Sequence, residues 1–450
     1  MTRMNNKHSF LEGSVFRSLI SFTIPVIMAL ALQALYGAAD LWAVGRFGTQ
    51  MDVSGVTTGS QTMTIITAFV TGLSTAVTVV IGQRIGENRK DKCADALSSA
   101  IYIIFISCIV LSLALIFGAD FLAKFMNAPK EAFKETTAYL RICGAGVIFI
   151  GAYNLIAGTY RSIGDAKSPL LFVLYAAIAN VAMDIVLTGF LKMGSSGAAF
   201  ATIGAQAFSV VLSLLYSKKH PIPFTFGLED LKKRDSMAEI IQVGLPLSIQ
   251  NVLGEFSFMI VISMTNRLGV TASAGVGVSE KIVMFVLMVP QAFMAAMSAF
   301  TAQNYGAGNI ARQKEGLKVG LITSSVLGFT LFMIVYFFGL DLAYIFTPEE
   351  EVALCAQEFL RATSLECFLL AFSNTFNGYF SGVGRTNFVM VNSLLSAFLI
   401  RIPLALYFGY KAEPHLFEIG TAAVYAALGC LVLCVVYYIY LERKGRSSSL

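Results

Sequence analysis

The chain has 450 residues, of which 56% are hydrophobic and only 13% charged, with a mean hydropathy of +0.72. A soluble domain carries about 25% charged residues, and this much apolar surface cannot be hidden in globular cores, so a soluble enzyme is excluded and an integral membrane protein is implied. The net charge of +5 would suggest an anionic partner in a soluble protein; here its distribution along the chain carries the information, and nucleic acid is not an expected partner.

At about 20 residues per span, twelve helices use roughly 240 residues and leave short loops and two tails, with no room for a large soluble domain. The opening segment MTRMNNKHSFLEGSVFRSL is polar. The apolar stretch behind it is too long for a cleaved signal peptide and shows no small-residue cleavage site, so it reads as the first span. Apolar runs of spanning length lie at 18–44, 57–82, 94–117, 138–160, 168–192, 197–216, 238–264, 277–302, 317–339, 359–382, 387–409 and 417–441. With the N-terminus in the cytoplasm, the tails and loops on that side collect about 21 of the 32 Lys and Arg, including Arg84, Arg89, Lys90, Lys92 and the run Lys232, Lys233, Arg234. The loop 340–351 carries Asp341, Glu349, Glu350 and Glu351 with no basic residue and belongs outside. The expected protein is multi-pass in the plasma membrane with both termini cytoplasmic.

The longest connection, 217–237, is charged and holds Pro221 and Pro223, as a linker between halves would. Sliding the second half over the first tests that idea. GQRIGENRKDKCADAL (82–97) aligns with AQNYGAGNIARQKEGL (302–317), keeping Gln83 with Gln303, Gly86 with Gly306 and Leu97 with Leu317 at one offset of about 220 residues. The same offset pairs Leu140-Arg141 with Leu360-Arg361, Asn154 with Asn374, Gly158 with Gly378 and Gly164 with Gly384. Pro25 pairs with Pro246 and Arg46 with Arg267 one residue further on. The expected domains are therefore an N-terminal lobe (1–216, helices one to six), a cytoplasmic linker (217–237) and a C-terminal lobe (238–450, helices seven to twelve). Six helices per repeat give both halves one topology, so the lobes are expected to be related by a pseudo-twofold axis along the membrane normal, the architecture of alternating-access transporters.

Cys93, Cys108, Cys143, Cys355, Cys367, Cys430 and Cys434 are an odd, scattered set with no Cys-x-x-Cys pair, and read as packing or lipid-facing residues. His8, His220 and His415 fall in tails or loops, which argues against haem and His-based metal sites. No cofactor is implied. An integral membrane enzyme would need clustered His, paired acids on a loop or a nucleophile motif near the interface, and none is present.

An ionisable group at a helix centre costs at least about 2.5 to 3.5 kcal/mol, which makes each one a functional candidate. Asp40 lies near the outer end of helix one and Asp184 in the second half of helix five. Asn180 precedes Asp184 by one helical turn and shares its face, and Thr202 enters on helix six at similar depth. Two carboxylates, an amide and a hydroxyl are hard oxygen ligands suited to Na+, or to a proton shared between two acids, and no basic residue of the same lobe lies at that depth. The C-terminal lobe is mixed in sign: Glu255, Glu280, Lys281, Glu366 and Arg401. Arg401 with Glu366, or Lys281 with Glu280 or Glu255, can neutralise each other as structural ion pairs; the competing reading makes Glu255, with Glu280 and Asn374, a candidate second cation or substrate site. Pro25 removes a backbone hydrogen bond inside helix one and is a candidate hinge. The 36 Phe, 17 Met and 17 Tyr suit either lipid contact or a pliable cavity for greasy cations.

Together these residues resemble the multidrug and toxic compound extrusion family over nearly the whole chain. The resemblance rests on Ile24-Pro25-Val26 and Leu245-Pro246-Leu247 opening the lobes, on GQRIGENR and AQNYGAGN after helices two and eight, and on GTYRSIGDAKSP and NGYFSGVGRTNF after helices four and ten. It implies a monomeric efflux antiporter, not an enzyme, that expels lipophilic organic cations in exchange for H+ or Na+. In the branch that resembles the DNA-damage-inducible type, an aspartate on helix one, an Asn and an Asp on helix five and a Thr on helix six form the cation site; they look like Asp40, Asn180, Asp184 and Thr202. The sodium-dependent type emphasises a glutamate in helix seven, which Glu255 resembles, and an aspartate in helix ten, where this chain has Glu366 and Asn374. The alternative reading is a flippase for a lipid-linked precursor. That fold usually brings extra helices and a cavity rich in Arg and Lys, which twelve spans with few buried cations do not match.

Overall fold

Each apolar run is bounded by polar or glycine-containing turns, and each becomes one long helix. The computed structural model describes residues 10–447, and all its regular structure there is helical. The helices are α1 (Val15–Phe47), α2 (Gln50–Gly86), α3 (Lys90–Phe125), α4 (Phe133–Ser162), α5 (Lys167–Phe190), α6 (Gly194–Lys219), α7 (Met237–Thr265), α8 (Val270–Gly306), α9 (Ile310–Tyr344), α10 (Glu350–Gly382), α11 (Thr386–Gly409) and α12 (Leu416–Ser447). The start of the N-terminal tail, with His8, lies outside the described residues. Most helices extend beyond their apolar runs by one to two turns at one or both ends, because the flanking polar residues continue the backbone hydrogen-bond ladder after the apolar surface stops.

Among the described residues, 11 helices are long and apolar enough to cross a membrane. The exception is α10, diluted by Glu350, Glu351, Glu358, Arg361, Glu366 and several Ser, Thr and Asn. Its position explains that composition. The helix is packed between α9 and α12, with Thr363, Ser364, Glu366, Ser373, Thr375 and Asn377 all buried, so much of its surface meets protein where a polar group can find a partner. Its repeat counterpart α4 is similarly central, contacting α2, α3 and α6.

The chain packs as two compact units. One comprises the described residues up to Gly13, Ile20–Ser248 and Ala302–Gly308; the other comprises Ser14–Leu19, Ile249–Thr301 and Asn309 onward. The division falls within α7, so the segment 217–237 lies inside the first unit. There Asp95 of α3 holds its end, accepting the backbone N–H of Asp235 at 3.0 Å and the hydroxyl of Ser236. The sequence repeat has a backbone counterpart. Asn88 (φ 58°) matches Gly308 (φ 66°), and Gly164 (φ 84°) matches Gly384 (φ 77°), so the loops after α2 and α8, and after α4 and α10, make the same left-handed turn. That turn is the reason these positions carry Gly or Asn.

The cysteines pack inside the protein. All seven are free and six are buried, with Cys355 of intermediate exposure, so the lipid-facing part of the expectation does not hold. The exposed apolar surface comes instead from large side chains such as Phe117, Phe121, Phe190 and Val270.

Candidate functional site

The site is assembled from the loop between α1 and α2 upward. Thr49 caps α2: its hydroxyl oxygen accepts the N–H of Asp52 at 3.2 Å, while Asp52 Oδ2 accepts the N–H of Thr49 at 2.9 Å. This is a reciprocal capping box. The other carboxylate oxygen of Asp52 accepts the N–H of Ser195 at 2.8 Å, tying the start of α2 to the start of α6. Gly194 makes that approach feasible, because a Cβ there would stand 2.2 Å from Asp52 Oδ1 and its φ of +56° suits glycine. Thr202 lies two turns beyond Ser195 on the same face of α6, so the clamp carries its hydroxyl to the level of Asp40. Beside it, Val44, Val56, Tyr139, Cys143, Ala198 and Ala199 form an apolar layer joining α1, α2, α4 and α6.

Asp40 is buried, as are Asn180 and Asp184. Asn180 Nδ2 donates to Asp40 Oδ1 at 2.9 Å, and the Thr202 hydroxyl donates to Asp40 Oδ2 at 2.9 Å. The same hydroxyl lies 3.0 Å from the Ala198 carbonyl, so one proton is shared between two acceptors. Asp184, one turn beyond Asn180 on α5, lies near enough to Asp40 for the two carboxyl groups to couple electrostatically. Neither Asp184 oxygen has a donor among the described residues, and Asn180 Oδ1 has none either. The four residues named from the sequence thus meet in one place. The cluster is rich in acceptors and has no basic side chain of its own. Buried acceptors of this kind are strongly disfavoured unless a proton or a cation completes them, and an all-oxygen donor set from two carboxylates, an amide and a hydroxyl matches the preference of a hard cation.

Directly after Asp184, α5 changes from α-helix to a π-helical segment, Ile185–Phe190. Such a segment loosens the regular ladder and is found frequently at functional sites. Thr188 within it is buried with its hydroxyl unpartnered, and Gly197 of α6 packs against it, 3.0 Å separating the position of an added Cβ from Thr188 Oγ1. A second π-helical segment, Ser396–Arg401, interrupts α11. Neither has a signature in composition or periodicity. Pro25 lies inside a continuous α1.

The second unit behaves differently. Arg401 and Glu366 form an ion pair at 3.0 Å, with side chains 17% and 8% exposed. Among the described residues, Lys281 forms no ion pair with Glu280 or Glu255. Glu255, Glu280 and Asn374 are half-buried, no hydrogen bond or ion pair joins them among the described residues, and Glu280 Oε1 is buried without a partner there. The three residues of the candidate second site are thus not linked by direct bonds of their own.

Sequence reasoning also passed over a cavity of about 90 Å³ in the first unit, lined by Gln33, Thr71, Tyr153, Asn154 and Arg161 among others. Arg161 stands inside the GTYRSIGDAKSP segment. Asp165, four residues on, caps α5, accepting the N–H groups of Lys167 and Ser168 at 2.9 and 3.0 Å.

An all-helical membrane fold in which a buried acidic cluster stands in the first of two repeat-built units defines a membrane transporter. The MatE family model matches residues 25–186 and again 246–407, so the two halves found by self-alignment are two copies of one family unit. The chain belongs to the MatE family, whose members are transporters and not enzymes. It is 25% identical over 448 residues, 98% of this chain and 96% of the relative, to the probable multidrug resistance protein YoeA of Bacillus subtilis (strain 168). It is also 25% identical over 396 residues, 86% of this chain and 84% of the relative, to the probable multidrug resistance protein NorM of Thermotoga maritima. Among solved structures, the outward-facing conformation of a multidrug resistance MATE family transporter matches with a TM-score of 0.88 at 19% identity, covering 99% of this chain and 98% of that one; this likeness concerns the fold.

Proposed function

We propose that this protein is a secondary active multidrug efflux antiporter of the plasma membrane, exporting lipophilic organic cations in exchange for H+ or Na+ by alternating access. The observation that carries the reading is the buried pair Asp40 and Asp184. Asp40 is held by Asn180 and Thr202, while Asp184 offers two oxygens with no donor. A cation or a proton entering this cluster supplies the missing partner. Loading and emptying then change the charge of a buried site, and a change of this kind favours one arrangement of α1, α5 and α6 over another. A coupling free energy of about 1–3 kcal/mol is the usual scale for such linkage, and each charge moved through 100 mV supplies about 2.3 kcal/mol, so the gradient is large enough to drive exchange. The bend that transmits occupancy is assigned to Pro25 on α1, which carries Asp40.

The acid, amide and hydroxyl on three helices support the reading that the chain resembles the DNA-damage-inducible branch. The names of the multidrug resistance relatives support the substrate class. The excess of Lys and Arg in one set of loops supports cytoplasmic termini. The flippase alternative is disfavoured, since the polar cluster of the first unit is acidic.

The test is efflux of ethidium from proteoliposomes under separately imposed proton and sodium gradients. The wild type is expected to expel the dye under at least one of them, and Asp184→Asn to lose that gradient-driven efflux while inserting and folding normally. Undiminished efflux by Asp184→Asn removes the coupling role of the cluster.

A further inference from the structure

We infer that the cavity around Arg161 is an oxyanion-binding site, taking the carboxylate or phosphate group of an amphipathic ligand. The cavity, about 90 Å³, lies between α1, α2, α4 and the start of α5. Its polar wall is formed by Gln33, Thr71, Tyr153, Asn154 and Arg161, and its apolar wall includes Val26. One N–H of Arg161 donates to Ser74 Oγ at 2.9 Å, and Ser74 passes its own proton to the Asn154 carbonyl at 2.5 Å. Ser74 therefore fixes the guanidinium from one side as a neutral acceptor. The other N–H donors have no protein partner among the described residues, and no carboxylate pairs with them. Asp165 is spent on the first turn of α5, where it also accepts the Ser168 hydroxyl at 2.5 Å.

Arg161 stands in the last turn of α4 with one hydrogen bond to a neutral hydroxyl and no carboxylate partner among the described residues, so an anion entering the cavity supplies the missing counter-charge. The planar fork of Arg matches the two oxygens of a carboxylate or a phosphate. The volume selects how the ligand enters. Whole drug-sized molecules occupy pockets of about 300–1,000 Å³, so this cavity admits an anionic end group while the adjoining apolar chain follows the Val26 side. The feature is confined to one half of the repeat, because the position matching Arg161 at the repeat offset is Ser381. It is also separate from the acidic cluster: Gln33 precedes Asp40 by two turns of α1, about 10 Å along the axis.

The test uses the purified full-length protein in detergent and isothermal titration with hexanoate, its neutral isostere hexanamide, and inorganic phosphate. The expected result is that the wild type binds hexanoate at least tenfold more tightly than hexanamide, that Arg161→Gln abolishes the preference, and that Arg161→Lys, which keeps the charge without the fork, retains part of it. Phosphate displacing hexanoate, or loss of hexanoate binding when the protein is moved into nanodiscs rich in phosphatidylglycerol, assigns the site to phosphate or to a lipid head group. Displacement by neither assigns it to carboxylates; in each case the oxyanion site stands. Equal binding of hexanoate and hexanamide by the wild type overturns the proposal, and that comparison needs no variant to fold. A preference surviving in folded Arg161→Gln overturns it as well. Binding is read without any gradient, so the result is independent of whether the acidic cluster couples transport.

Discussion

In the first unit Asp40 and Asp184 share a buried site that contains no basic side chain, whereas in the second unit the buried Glu366 is met by Arg401 at 3.0 Å. Both arrangements place carboxylates inside helical bundles, but they differ in where the compensating charge resides. The pair in the second unit carries its compensation covalently and gains no advantage from a passing cation. The cluster in the first unit has oxygens without donors, and whatever completes it must come from outside the chain. Charge balance thus separates a carboxylate that serves architecture from one available for exchange, even where burial is the same.

The sharpest break of this comparison is removal of the unpartnered acid. Asp184→Asn is expected to reduce gradient-driven ethidium efflux by at least about a hundredfold, with thermal stability in detergent unchanged or higher, since an uncompensated buried acid is lost. A parallel fall in stability and efflux would instead give Asp184 an architectural role. The converse applies to the second unit. Glu366→Gln leaves Arg401 buried without its partner and should destabilise the protein by about 3–5 kcal/mol, read as a lowered thermal midpoint. Replacing both members by Met should recover most of that loss, and a stable Glu366→Gln variant would break the contrast from the other side.

A finer probe is Thr202→Val, which keeps the shape of α6 but removes one donor to Asp40. Hydrogen bonds to charged groups contribute about 1.5–3 kcal/mol, so the half-saturating concentration of the coupling ion is expected to shift by about tenfold while maximal efflux persists; an unshifted value would detach Thr202 from the ion. Glu255→Gln should have the smallest effect, within about twofold of wild type, because Glu255 forms no ion pair among the described residues; a single hydrogen-bond-sized loss would already exceed that limit. A loss as large as that of Asp184→Asn would place coupling in the second unit as well.

Much of this was legible in one dimension. The count and order of the helices follow from apolar runs, because the cost of burying backbone and charge in hydrocarbon acts on each segment separately. The repeat was legible because Gln83 with Gln303 and Gly164 with Gly384 preserve local turns, and at the glycine pair the shared positive φ restricts the residue that can stand there. Asp40, Asn180, Asp184 and Thr202 could be nominated because depth along a helix and the face shared at one turn are both properties of spacing.

Which groups meet across helices was decided by tertiary packing, since the rotation and register of one helix against another depend on all the side chains between them. The sequence offered Arg401 with Glu366 and Lys281 with Glu280 or Glu255 as pairs; packing formed the first and, among the described residues, neither of the others. Nothing in the spacing marked Arg161; it lines a cavity because the nearby acid, Asp165, is taken up by the N-terminus of α5. The π-helical turn after Asp184 and the polar interior helix α10 belong to the same class, because their stability comes from neighbours that a linear reading of the chain does not contain.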